Sequence, residues 1–409
     1  YRPFSGNRSV LRVGYGLFYD SLQSLDVSYG SWMPPFQGAL VTYTKPIQWP
    51  DHVSRIKPLD QAPFSQADLD SRIGGLPGIY ANNPHWPASY NQQWNVSFGQ
   101  DIGWGTKFEL GYLGSHGVNL SGLLSGGMNA ENPGLCAKSK LINPPGGGGC
   151  GWLWTKGFNS TYSSLQASVH KGFTHGLFFL AGYTWSHSLA QASQDDDYTE
   201  SLLDSNIKGR VFERRWANSD FDVRHRLSIE GGYELPMGRG KHFGSAWHPV
   251  VDGVLGGWQV NWIAQFQAGF PFTVWSARLA YPDRICDGNL PSNQRTRDKW
   301  FDYNCFVPHT PTTAIDPTTG AQILTNINGN SGLNILTGPG TNNWDLSVQK
   351  HFRLWNETRL QFRGEFFNAF NHPNLTAPAG NTFYNDSGGA KIYRGRDARD
   401  IQLALKLIF

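Results

Sequence analysis

Residues 401–409, at the C-terminal end, read IQLALKLIF. Ile401, Leu403, Leu405, Leu407 and Phe409 fall on one face; Gln402, Ala404 and Lys406 fall on the other, with Ile408 as the exception. A period of two held over nine residues describes a strand with one apolar side. A soluble protein seldom closes on such a strand, with the apolar face running to the terminal carboxylate. A strand crossing a bilayer within a barrel can, because its outer face meets lipid and its inner face is free to meet water. The competing reading is a core strand of a soluble sandwich.

The rest of the chain bears on that choice. Only 16% of its 409 residues are charged, against 14% aromatic, 48 Gly and 16 Trp. No stretch reaches the roughly 18 consecutive apolar residues of a membrane helix. Mean hydropathy lies on the polar side, but half of every barrel strand faces water and the loops are polar, so that test does not exclude a barrel. A net charge of +3, dispersed along the chain, gives no argument for nucleic acid as a partner. The sequence starts at Tyr1 without a signal peptide, which reads as processing or as a piece of something longer.

Nine further stretches alternate like the last. They lie at residues 10–19, 93–100, 107–114, 164–171, 177–186, 223–235, 258–268, 344–352 and 360–366. In the clearest, WQVNWIAQFQA, Trp258, Val260, Trp262, Ala264 and Phe266 oppose Gln259, Asn261, Gln265 and Gln267, with Ile263 the lapse. This predicts an all-β, antiparallel meander of about ten strands. Its connections alternate between tight turns and long Gly/Pro/Asn-rich loops. Transmembrane barrels sort theirs this way, with short turns on the periplasmic side and long loops outside. The connector at 236–256 is the weak point, being long for a periplasmic turn.

The second faces carry Arg226, Glu230, Gln259, Asn261, Gln265, Arg359, Arg363 and Glu365. In a dry core such charges would cost several kcal/mol each; lining a wet lumen they cost little. We therefore expect them to face a lumen. Trp and Tyr near strand ends (Trp185, Trp258, Trp344, Tyr183) suit interfacial girdles. They would also suit sugar stacking on a secreted β-protein.

The four cysteines form two local pairs, Cys136/Cys150 and Cys286/Cys305, each inside one loop. Neither has C-x-x-C spacing, so we expect two disulfides of an oxidising compartment and no metal. Asp195, Asp196, Asp197 and Glu200 lack the spaced ligands and the Gly of a calcium loop, and read as a solvated loop. His85, His187, His225 and His372 show no ligand spacing. The run SDFDVRHR at 219–226 brings Asp, His and Arg together, but on a strand they alternate sides; it reads as a strand entry with loop-anchoring pairs. The glycines at 146–149 open no helix and are no phosphate cradle. No nucleophile and base stand together, which argues against an enzyme.

Several stretches resemble the C-terminal barrel of TonB-dependent outer-membrane receptors, specifically the Oar-like group. In order they are RVGYGLFYD (12–20), YNQQWNVSFGQ (90–100), LGYLGSHG (110–117), YTWSHSL (183–189), SDFDVRHR (219–226), LTGPGTNNWDLSVQKHF (336–352), LQFRGEFFNAFNHPN (360–374) and the terminal DIQLALKLIF. The resemblance implies a barrel of about 22 strands, of which this chain would hold the last ten. It also implies a plug and a TonB-contacting segment that these residues do not contain, so that residues 1–409 form one barrel portion. Function would be energy-coupled uptake of an extracellular substrate across a Gram-negative outer membrane, with no cofactor. Lipid, the TonB complex and the barrel-assembly machinery would be its partners. The terminal residues Ile401, Leu403, Leu405, Leu407 and Phe409 resemble the signal which that machinery reads. A passive porin shares the strand pattern and is the alternative.

Overall fold

The computed structural model describes residues 8–20, 80–82, 87–125, 152–192, 198–199, 216–275, 281–310, 312–315, 322–325, 329–355, 357–378 and 389–409. Ten principal strands build one antiparallel sheet: β1 (Ser9–Tyr19), β2 (Tyr90–Gly103), β3 (Thr106–Ser125), β4 (Trp152–Thr174), β5 (Leu177–Ala190), β6 (His225–Glu234), β7 (Trp258–Gln267), β8 (Thr341–Arg353), β9 (Arg359–Phe367) and β10 (Asp400–Ile408). Their spatial order is their chain order, and three short strands flank this path. Among the described residues β1 pairs only with β2 and β10 only with β9. None of the described helices is long and apolar enough to cross a membrane.

The register carries one apolar face across the sheet. Val13 sits opposite Val96, which faces Tyr112, then Leu165, then Trp185. Further on, Phe179, Gly231, Trp262, Leu346, Phe366 and Ile401 occupy one row. Directly opposed residues in an antiparallel pair share a face, so the period-two pattern of each strand is locked to that of its neighbours. The result is an apolar surface left open: Val13, Tyr15, Leu403 and Leu405 are each about 70% exposed. A soluble sandwich would cover that surface with a second sheet; a transmembrane wall turns it to lipid.

Tight turns join β2 to β3 and β4 to β5. In the second, His175 and Gly176 both have positive φ (51° and 80°), the backbone of a two-residue hairpin whose twist matches the strands. Gly114 on β3 lies beneath the Trp94 ring on the facing strand, where a side chain would collide with the indole.

Two boundaries differ from the sequence reading. Residues 152–159 read as loop, yet β3 and β4 pair out to Ser125 and Trp152. Phe158 there is fully buried, its ring filling the space over Gly122. Periodicity could not show this, because the stabilising contact is between strands. At 23 residues β4 spans roughly 75 Å, far beyond the 9–11 residues a bilayer needs. The long connector, read as an oversized turn, contains a helix, α1 (Pro249–Leu255), with Pro at its start and the His248 side chain accepting from the Val250 N–H.

Candidate substrate-facing surface

Every residue expected to line a lumen falls on the face opposite the apolar one. Arg226, Glu230, Gln259, Asn261, Gln265, Arg359, Arg363 and Glu365 all share that parity through the paired register. A hydrogen-bonded chain crosses three strands there. Gln361 on β9 donates to Gln349 on β8 at 3.3 Å, Gln349 donates to Gln259 on β7 at 2.9 Å, and Gln259 donates to Asn261 at 2.8 Å. Arg363 pairs with Glu365 at 3.3 Å, and Arg12 on β1 reaches Glu109 on β3 at 3.4 Å. These exposed pairs contribute little stability; they make the wall wettable.

The same face is not uniformly polar. Phe178, Leu180, Ile263 and Phe367 lie on it among Glu230, Asp345 and Glu365, beside a concavity of about 630 Å³. Alternation alone leaves Ile263 and Ile408 as lapses. Ile263 and Ile408 are true members of the polar face, opposite Glu230 and Arg359. The signal was present as two breaks in alternation, but a single strand cannot show which breaks will align.

At the loop end of β7 and β8 stands a lobe with its own core. Phe272, Val274, Phe301, Phe306 and Leu336 are buried together with Ala390 from the last loop. Cys286 and Cys305 form a disulfide within this loop, with Cα atoms 4.8 Å apart. The Trp300 backbone N–H donates to Ala390 O at 2.9 Å and its indole N–H to Thr337 O at 2.8 Å. Arg297 Nε donates to Ile392 O at 3.0 Å. The lobe therefore joins two loops that are about 90 residues apart in the chain.

The run SDFDVRHR anchors rather than binds. Buried Asp222 accepts from the Ser188 N–H at 2.7 Å and from Arg224 Nε at 2.8 Å, while Arg224 Nη2 also reaches His187 and Asn218. His225 turns to the opposite face, 2.8 Å from the Tyr183 hydroxyl. The residues NAFNHPN serve similarly. Asn368 caps a loop by donating to His372 O and Asp397 O, and Asn371 accepts from the Arg399 N–H. Among the described residues no three His, Cys, Asp or Glu side chains are grouped to hold a metal ion. Cys136, Cys150, His85, the acidic run at 195–197, Glu200 and the glycines at 146–149 lie outside the described residues.

Solved structures similar to this chain are outer-membrane receptors and transporters. The outer membrane transporter YddB from Escherichia coli is 9% identical with a TM-score of 0.43, over 82% of this chain and 34% of that one. The ferric-catecholate import receptor Fiu from E. coli K12 is 8% identical with a TM-score of 0.40, over 99% and 34%. FpvA of Pseudomonas aeruginosa, solved with heterologous pyoverdines, is 9% identical with a TM-score of 0.40, over 98% and 31%. The chain thus spans about a third of the length of these proteins. No curated protein matches the sequence. A family model described as the outer membrane beta barrel domain matches residues 1–402, and the chain belongs to that family.

Proposed function

We propose that this chain is the C-terminal part of the barrel of a TonB-dependent, energy-coupled receptor of the Oar-like group, a transporter and not an enzyme. The observation that carries the reading is the unclosed sheet. It has a continuous apolar face and a hydrogen-bonded polar face, and among the described residues its first and last strands each pair with one neighbour. Ten strands that do not close on themselves call for further strands, which lipid would otherwise meet as bare backbone donors and acceptors. The polar residues from Arg226 to Glu365 line the lumen, tight turns face the periplasm, and the stapled lobe stands outside. There it is placed to capture an extracellular substrate before passage inward. An upstream plug and TonB-contacting segment supply gating and energy coupling.

The test uses the intact receptor purified from outer membranes. Its conductance in a planar bilayer in KCl, and its binding to the periplasmic domain of TonB, are measured together. A closed channel that binds TonB is the expected result. A steadily open channel that does not bind TonB would assign the chain to the passive porins.

A further inference from the structure

The helix α1 presents an apolar face that the protein does not cover. Val250, Val251, Val254 and Leu255 stand at i, i+1, i+4 and i+5, which places them within one stripe of a 3.6-residue helix. Their exposures are 69, 40, 60 and 49%. The opposite side is held down: Asp252 accepts from the Arg239 N–H at 2.7 Å, and Gly256 packs against Gly238. The helix is thus fixed with its apolar stripe turned away from the protein. Seven residues are too few for a helix to hold itself in water, so its position must come from these tertiary contacts.

Its C-terminal end is tied to the apolar face of the sheet. Lys350 shares that face with Trp258 and Phe362 in the paired register. Its Nζ donates to Asp252 O of the last helical turn at 3.3 Å and to Gly256 O just beyond the helix. The ammonium also lies 5.5 Å from the Trp258 ring and 5.1 Å from the Phe352 ring, a favourable position for a cation. Trp258 Nε1 donates to Val254 O at 2.9 Å. A lysine on the apolar face is thereby satisfied, and the helix is laid along the outside of the wall. Other tight-turn ends bring exposed aromatics too: Trp104 between β2 and β3 is 87% exposed, and Trp355 between β8 and β9 is 64% exposed. The stripe stands at the same end of the strands as these aromatics. Exposed Arg239 lies on the same connector, with Lys241, itself 3.4 Å from Glu234, close by, and both are suited to anionic headgroups.

We infer that α1 is a lipid-binding element, lying in the headgroup–acyl boundary of the periplasmic leaflet and tethered to the barrel wall by Lys350. The inference rests on the reading above, in which the apolar face of the sheet meets lipid. Its occupant is phospholipid, whose acyl chains would take the valine stripe and whose phosphates would meet Arg239 and Lys241.

The experiment places a fluorescent coumarin amino acid by codon suppression at Val254, at Leu405 on β10 or at Ser245 in the connector. Each form of the intact receptor is reconstituted into phosphatidylethanolamine–phosphatidylglycerol vesicles that carry nitroxide-labelled acyl chains. Quenching at 254 is expected to approach that at 405 and to exceed that at 245 several-fold. Position 250 replaces 254 if that form does not fold. Quenching at 405 but no more at 254 than at 245 would overturn the inference alone and point to a protein partner or to water. Absence of quenching at 405 would overturn the lipid-facing reading as well. In a Lys350→Gln background, quenching at 254 is expected to fall several-fold while that at 405 holds; unchanged quenching at 254 would overturn the tether.

Discussion

Asn334 and Thr273 hold each other twice. The Asn334 N–H donates to Thr273 Oγ1 at 2.9 Å, and the Thr273 hydroxyl donates back to Asn334 Oδ1 at 3.1 Å. Both residues are buried. Asn334 also donates from its amide to Asn218 O at 2.7 Å and to Asp220 Oδ1 at 2.5 Å, tying the lobe to the preceding loop. It does so at a φ of 54°, a left-handed conformation that Asn tolerates better than most residues.

Asn334→Ala should therefore loosen the lobe without touching the wall. It removes the acceptor of the buried Thr273 hydroxyl and the donors to half-buried Asn218 and Asp220, a loss of about 1–3 kcal/mol. Amide exchange across residues 281–310 is expected to accelerate at least about tenfold, with β1 to β3 unchanged. Equal acceleration in both regions would mean that the clasp supports the whole sheet.

Cys286–Cys305 closes a loop with a sequence separation of 19 residues. A loop of that size contributes roughly 3 kcal/mol in the chain-entropy model. Its Cys305 end lies in the lobe core with Phe301 and Phe306 while Cys286 is exposed, so the contribution is local. The Cys286→Ser/Cys305→Ser variant should expose residues 281–310 to protease at lower temperature, while heat-modifiable migration of the barrel is retained. Loss of the barrel itself would refute a local role. Mass mapping should also find Cys136 joined to Cys150; cross-pairing between the loops would sink that pairing.

Much of the wall was legible because alternation is a one-dimensional signal: Trp258 to Gln267 announces both of its faces without any neighbour. What stayed hidden depends on residues far apart. The ring of Phe158 packs over Gly122, a contact that exists only between strands. Lys350 looks like an error on an apolar face until the carbonyls at the end of α1 arrive to meet it. The apolar patch around Leu180 and Ile263 needs three strands in register before it exists. Asn334 has no local pattern at all; its importance lies in contacts more than 100 residues away in sequence.

The terminal strand should carry assembly information. Leu403 and Leu405 are about 70% exposed on the apolar face, and Phe409 is 89% exposed. Gln402 lies on the other face, opposite Glu365. Neither Phe409 nor Gln402 holds a core, so their removal should cost folding stability little and equally. In the intact receptor, Phe409→Ala is nevertheless expected to lower outer-membrane levels several-fold, and Gln402→Ala hardly at all. Equal levels of the two variants, measured by quantitative immunoblot of outer-membrane fractions, would remove the assembly role.

The sheet edges give the last prediction. Among the described residues β1 pairs only with β2 and β10 only with β9, so each presents one edge to which no described strand is paired. In water such edges recruit other chains, and in hydrocarbon each unmet group costs several kcal/mol. Residues 1–409 expressed alone should therefore self-associate in detergent and give no steady conductance in a planar bilayer. In the intact receptor further strands would separate the two edges. A Val13→Cys/Leu405→Cys pair should then fail to cross-link under oxidation, whereas Val13→Cys with Val96→Cys, direct partners on β1 and β2, should cross-link readily. A monodisperse, conducting ten-stranded species, or efficient cross-linking of positions 13 and 405, would show that these ten strands close on themselves.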